Sequence, residues 1–151
     1  MHSPVVFDTS VIISRPHLKL PPNFSLSAVV AAELGSSALN EPIRQWLDET
    51  RLRHERQGTL IVPTSEDWLL ASRVLGWLTQ RRKKSAGGKL PPQKPGASQQ
   101  MMPNSMDALI AVSARRTGAL VVTEDYDDFK AIQYYCQFRL KRGSDYLKAD
   151  R

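Results

Sequence analysis

Near the N-terminus the chain reads Val5-Val6-Phe7-Asp8-Thr9-Ser10-Val11-Ile12-Ile13: three apolar residues, a carboxylate, two hydroxyls, then a second apolar run. A short segment apolar on every side suits a strand buried on both faces, as strands of parallel sheets are. Such strands need helical crossovers between them, which points to an α/β fold. Open parallel sheets place their chemistry at the carboxyl ends of strands, and Asp8 stands at such an end. Asp8, Thr9 or Ser10 could equally cap the helix that follows, and on this stretch alone the cap is the commoner use.

A chain of 151 residues is normally one domain with room for a substantial core, and 41% hydrophobic with 24% charged residues suits a globular protein. Asp8 and Pro16 interrupt the only apolar run near the start, so no signal peptide is expected. No segment approaches the roughly 18 apolar residues of a membrane span. The single cysteine, Cys136, excludes an internal disulfide and a cysteine-based zinc cluster, and a reducing, cytoplasmic setting is the default. His2, His17 and His54 have no metal-ligand spacing and are expected on the surface. Any metal would be held by oxygen.

Ser27 suits an N-cap for a helix through Leu34, weakened at its far end by Gly35. At about 100° per residue, Leu26, Val29, Val30 and Leu34 share an arc, and Glu33 falls inside it. A carboxylate there needs a partner, either an arginine or a metal ion. Asn40-Glu41-Pro42 opens another helix that carries Trp46 and Leu47 inward and stops at Gly58, with a solvated face over Asp48 to Arg56. Leu60-Ile61-Val62 reads as a second strand. Thr64-Ser65-Glu66-Asp67 resembles a capping box, followed by a core stripe of Leu70, Ala71, Val74, Trp77 and Leu78.

From Arg81 the composition turns to Gly, Pro, Ser, Gln and Lys, which predicts a long mobile loop over about 81–103. Between Trp68 and Met106 there are seven basic residues, Arg73, Arg81, Arg82, Lys83, Lys84, Lys89 and Lys94, and no acid. The rest of the chain is close to neutral, so this segment carries the whole net charge of +6. A concentrated basic loop suits a polyanion such as RNA, while a solvated linker would show the same composition.

In Ser105 to Gly118 a capped helix places Asp107 among Ile110, Ala111 and Ala114, a second carboxylate on a packing face. Ala119-Leu120-Val121-Val122 then reads as a buried strand entering Thr123-Glu124-Asp125, which repeats the pattern of Phe7-Asp8-Thr9. If the two strands are parallel, Asp8 and Asp125 end on one edge, and Asp8, Glu33, Asp107 and Asp125 converge. Four carboxylates cannot share a small space as bare anions, and a divalent cation resolves the conflict. Hard oxygen ligands point to Mg²⁺ or Mn²⁺, suited to in-line phosphoryl displacement by an activated water.

These four stretches, in this order, resemble the motifs of the PIN-domain ribonucleases, most of all the VapC toxins of toxin–antitoxin pairs. The resemblance implies a three-layer α/β/α PIN-like fold with a central, mostly parallel sheet over a single domain, 1–151. It implies a Mg²⁺- or Mn²⁺-dependent endoribonuclease, commonly dimeric and silenced by an antitoxin. By motif position Asp8, Glu33, Asp107 and Asp125 match the acidic quartet, and Thr9 or Ser10, with Thr123, match supporting hydroxyls. The basic tract is longer than a minimal toxin needs, which leaves open an RNA-processing nuclease without an antitoxin. A phosphatase of the haloacid-dehalogenase type would want a second Asp where Ser10 stands. A non-catalytic RNA-binding module would leave all four acids without a task. Gln133 to Tyr146 fits helix or strand.

Overall fold

A computed structural model describes residues 2–37, 40–85, 87 and 105–149. Their order is β1 (Val5–Phe7), α1 (Thr9–Ser14), β2 (Leu26–Ser27), α2 (Ala28–Ser37), α3 (Glu41–Gln57), β3 (Leu60–Ile61), α4 (Ser65–Ser85), α5 (Ser105–Thr117), β4 (Leu120–Thr123), α6 (Tyr126–Gln133), β5 (Arg139–Arg142) and α7 (Gly143–Lys148). The expected α/β class with parallel strands is present. Strands β1, β4 and β5 form one parallel sheet in that order, and β2 and β3 a second parallel pair. A parallel bridge between Val5 and Phe24 sets the pair beside β1, with Ser25 N donating to Val5 O at 2.8 Å.

Register is what positions the site. Val5, Val6 and Phe7 pair with Leu120, Val121 and Val122, so the residues after Phe7 and Val122 leave the sheet at the same edge. Asp8 N donates to Val122 O at 2.9 Å and continues the ladder by one bond. Both strands are buried through their length except Leu120 at its start, as uniformly apolar runs require. The core joins them to Val11, Leu26, Val30, Val74, Ile110, Val112, Phe129 and Ile132.

Helix α5 is buried from Ala108 to Ala114, and Gly118 ends it as expected. With φ at 70°, Gly118 N donates to Arg115 O and Ala119 N to Ala114 O, a left-handed stop that turns the chain directly into β4. At the start of α4 the capping box forms reciprocally: Asp67 N donates to Thr64 Oγ1 at 3.2 Å, and Thr64 N to Asp67 Oδ2 at 2.9 Å. Ser27 Oγ accepts from Val30 N at 3.4 Å.

Several expectations change. Residues 81–85, expected in the loop, are the last turn of α4. Arg and Lys are good helix formers, and cations favour a helix C-terminus. Lys89 and Lys94 lie outside the described residues. His54 is buried, its Nδ1 2.7 Å from Thr59 Oγ1 and its ring edge-on to Phe24. Burial, with Arg53 beside it, lowers its pKa. Trp46 and Trp77 lie on the surface, while Leu47, Ala71, Val74 and Leu78 are core. The undecided Gln133–Tyr146 segment divides between the end of α6, the strand β5 and the start of α7.

Candidate active site

Asp8 and Asp125 both occupy N-cap positions, of α1 and α6, yet neither side chain makes a capping bond. The commoner use of such residues is therefore not the one made here. Asp8 is 2% exposed, and a carboxylate buried that deeply needs donors. Two hydroxyls supply them: Ser10 Oγ donates to Asp8 Oδ2 at 2.8 Å and Thr123 Oγ1 donates to the same oxygen at 2.9 Å. Among the described residues no bond falls on Oδ1.

The same hydroxyls bind the second strand end. Glu124 N donates to Ser10 Oγ at 3.1 Å, and Asp125 N to Thr123 Oγ1 at 2.9 Å. Thr123 thus ties Asp8 to the turn that carries Asp125. Across the edge, Thr9 Oγ1 donates to Glu33 Oε1 at 3.2 Å, orienting the carboxylate of α2. All three hydroxyls expected from sequence are engaged at the acids.

The electrostatics show that the four acids share one field. Burial, then the charges of Asp8, Glu33, Asp125 and Asp128, push Asp107 from 3.8 up to about 7. Burial also raises Glu33, with Asp8 and Asp125 adding to the rise and the Thr9 hydrogen bond opposing it. Asp125 is raised by burial, then by Asp8, Asp128 and Glu124. Among the described residues, no basic side chain enters any of these three balances. Among the described residues, no three His, Cys, Asp or Glu side chains stand as a ready-made metal cage. The donor chemistry nevertheless fits a hard divalent cation: all oxygen, net negative and mutually repelling.

Other contributors lay outside the sequence reading. Asp128 adds to the negative field. Glu124 Oε1 is buried 2.9 Å from Arg15 Nη1, an ion pair that lacks hydrogen-bond alignment. Gly143, first residue of α7, presses on the Glu124 carboxylate, and a Cβ there would collide with it and crowd Val11. A loop arginine and a glycine more than a hundred residues later carry no local signal that could have linked them to Glu124.

No family model and no curated protein matches the chain. Among solved structures it is similar to a chain of FitAB bound to an IR36 DNA fragment, with a TM-score of 0.56 and 18% identity over 92% of this chain and 94% of that one. It is also similar to a chain of VapBC-1 from nontypeable Haemophilus influenzae, with a TM-score of 0.52 and 18% identity over 93% and 98%. The chain shares its fold with a component of each assembly. That corrects the assignment to the PIN-domain ribonucleases and to VapC toxins: identity this low carries a fold and no family membership, and no family model supports the name. The loosely spaced motifs that suggested it are short enough to recur without common membership. The PIN-like, three-layer qualifier on the fold is dropped with it, and α/β with small parallel sheets remains. No helix among the described residues is long and apolar enough to cross a membrane.

Proposed function

We propose that the edge formed by Asp8, Glu33, Asp107 and Asp125 is a hydrolytic centre that cuts RNA phosphodiester bonds with Mg²⁺ or Mn²⁺, in a protein that works with a partner protein in a toxin–antitoxin type of system. The observation that carries the reading is the pair of strand-end aspartates whose side chains leave their caps unused and gather with two helix carboxylates at one edge, where burial first and then the neighbouring charges raise Asp107 to about 7. A stable fold gains nothing from four acids gathered at one edge with no basic partner among the described residues. A bound divalent cation would relieve the repulsion, activate a water and stabilise charge on the phosphoryl group.

The chain's own residues divide the work. Ser10 and Thr123 hold Asp8 by one oxygen and leave the other to face a ligand. Thr9 fixes Glu33. Asp107 and Asp125 complete the donor set from α5 and from the turn after β4. The basic residues Arg81, Arg82, Lys83 and Lys84, with Lys89 and Lys94 beyond them in sequence, would hold the RNA backbone. The two-part composition of FitAB and VapBC supports the partner protein.

The DNA in the FitAB structure favours a second reading, a non-catalytic component of a DNA-bound assembly. One assay separates them. Purified protein should cut single-stranded RNA in Mn²⁺ and stop in EDTA, and Asp8→Asn should lose about a thousandfold or more of that rate, since metal assistance supplies several kcal/mol. No cleavage in Mn²⁺ would favour the second reading, and metal-independent cleavage, or Asp8→Asn cutting at the wild-type rate, would remove the metal-dependent centre proposed at this edge.

A further inference from the structure

Away from the acidic edge, the second half of α4 and the end of α6 meet in a surface that is aromatic and basic together. Trp77 stacks on Tyr135, with ring centroids 5.6 Å apart and planes 30° apart, and Tyr135 meets Tyr134 edge-on at 5.0 Å. The Arg81 guanidinium lies over the Tyr134 ring at 4.9 Å. Trp77, Gln80, Arg81, Lys84, Tyr134 and Tyr135 line a shallow groove of about 290 Å³. A second groove shares Arg81 with it and is also lined by Arg82 and by Asp127 and Lys130 of α6, whose N-cap is Asp125.

Burial explains Tyr135, which packs partly buried against the core, but not the other two rings. Tyr134 is 73% exposed and Trp77 41%, so each offers ring surface to solvent. Three features select the occupant. Rings already stacked on neighbours need little ordering to receive another flat ring. Cations placed beside them suit a chain with a charge between its rings. The helix that carries most of the cations has no acid after Asp67. A protein partner would suit the aromatics; bases joined by phosphates suit both components.

We propose that the Trp77–Tyr134–Tyr135 ridge with Arg81, Arg82, Lys84 and Lys130 is a binding platform for single-stranded RNA, with bases stacking on the open rings and phosphates facing the cations. The inference deepens the hydrolase reading by naming the substrate as unpaired, and rests on it only for the strand's onward path along α6 to the acidic edge. A duplex keeps its bases stacked on one another and cannot use the rings.

The test reads binding and not cleavage, so the two readings fail separately. Full-length Asp8→Asn protein in EDTA is titrated into a dye-labelled 12-nucleotide oligouridine and into a duplex RNA of equal length, followed by anisotropy. Single-strand preference is expected. Tyr134→Ala, at an exposed position, should weaken oligouridine binding about tenfold and duplex binding hardly at all, with Tyr134→Phe restoring it. Arg81→Gln should weaken binding and lower the salt slope. Equal affinity for the duplex, or unchanged oligouridine binding in Tyr134→Ala, overturns the proposal. So does a Tyr134→Ala that abolishes self-association in sedimentation while RNA binding persists, since the ridge would then be a protein interface.

Discussion

Asp8 and Asp67 are both aspartates next to a helix start, and both are almost fully buried, at 2% and 4% exposure. Their surroundings differ in one respect. Asp67 closes a capping box with Thr64 and takes the Arg116 Nε at 2.9 Å, while Arg116 also reaches Val62 O at 3.0 Å. Its charge is matched, and it joins the start of α4 to the end of α5 and the segment after β3. Among the described residues, Asp8 is held by neutral hydroxyls and shares its edge with three more carboxylates. Identical side chains at similar depth thus sit in opposite settings: one has its charge matched by the protein, the other has no basic partner among the described residues.

Asp107 offers the largest way to break the comparison. Its pKa, raised from 3.8 to about 7, means that the folded state binds the extra proton between those values. The stability this contributes is present at low pH and lost as pH rises through about 7. Metal-free protein should therefore melt progressively lower from about pH 4 to pH 7, by an amount on the order of a few kcal/mol. Asp107→Asn should flatten that slope and, in EDTA at pH 8, melt at or above wild type. Mn²⁺ should narrow or reverse the order, because binding to the folded state stabilises it. Thermal melts across pH, with EDTA and with Mn²⁺, check this. A strongly destabilised Asp107→Asn together with no metal shift in either protein would make the acidic edge another charge-matched site.

Asp67 gives the reverse. Asp67→Ala removes the cap and strands Arg116, which is partly exposed, for a cost of about 2 kcal/mol. Melting should fall by roughly 5 °C in a chain of this size, with the Mn²⁺-dependent rate per folded molecule unchanged. Asp67→Asn should recover part of the loss by restoring the cap acceptor. An effect on rate as large as that on melting would mean that the ion pair reaches the acidic edge.

The smallest effect sharpens the comparison within the cluster. Thr9→Val deletes one hydrogen bond to Glu33, which opposes the upward shift of that carboxyl. Its pKa should rise further, by about 1 kcal/mol of lost interaction, visible in an NMR titration of the Glu side chains. A Glu33 titration identical in the variant would detach Thr9 from the site.

The acidic edge was largely legible in the sequence and the charge-matched site only half so. Phe7-Asp8 and Val122-Thr123 advertise themselves because a buried strand that ends in polar residues leaves both signals in adjacent positions. The capping box was readable for the same reason, being local. Arg116 was not, since it lies 49 positions from Asp67 and only the packing of α4 on α5 joins them. His54 was misplaced because burial against Phe24 comes from another element. Trp46 and Trp77 followed helical periodicity but point to the margin of the stripe. Strand β2 is two residues long and was absorbed into the helix that follows it. Over residues 81–85 the composition of the basic tract points to a loop, whereas helix propensity decides the outcome. The family name failed for a related reason: four loose motifs in order can indicate a chemistry without fixing a lineage.

Strand β5 lies at one end of its sheet, and three of its four residues, Arg139, Lys141 and Arg142, are cationic. An unpaired strand edge is an invitation to any other strand, including the same strand of another copy. Here such a meeting would bring two rows of positive charge face to face, with no carboxylate in either strand to offset them. A sheet continued through β5 into another copy is thus disfavoured, and the same repulsion opposes fibrils seeded at that edge.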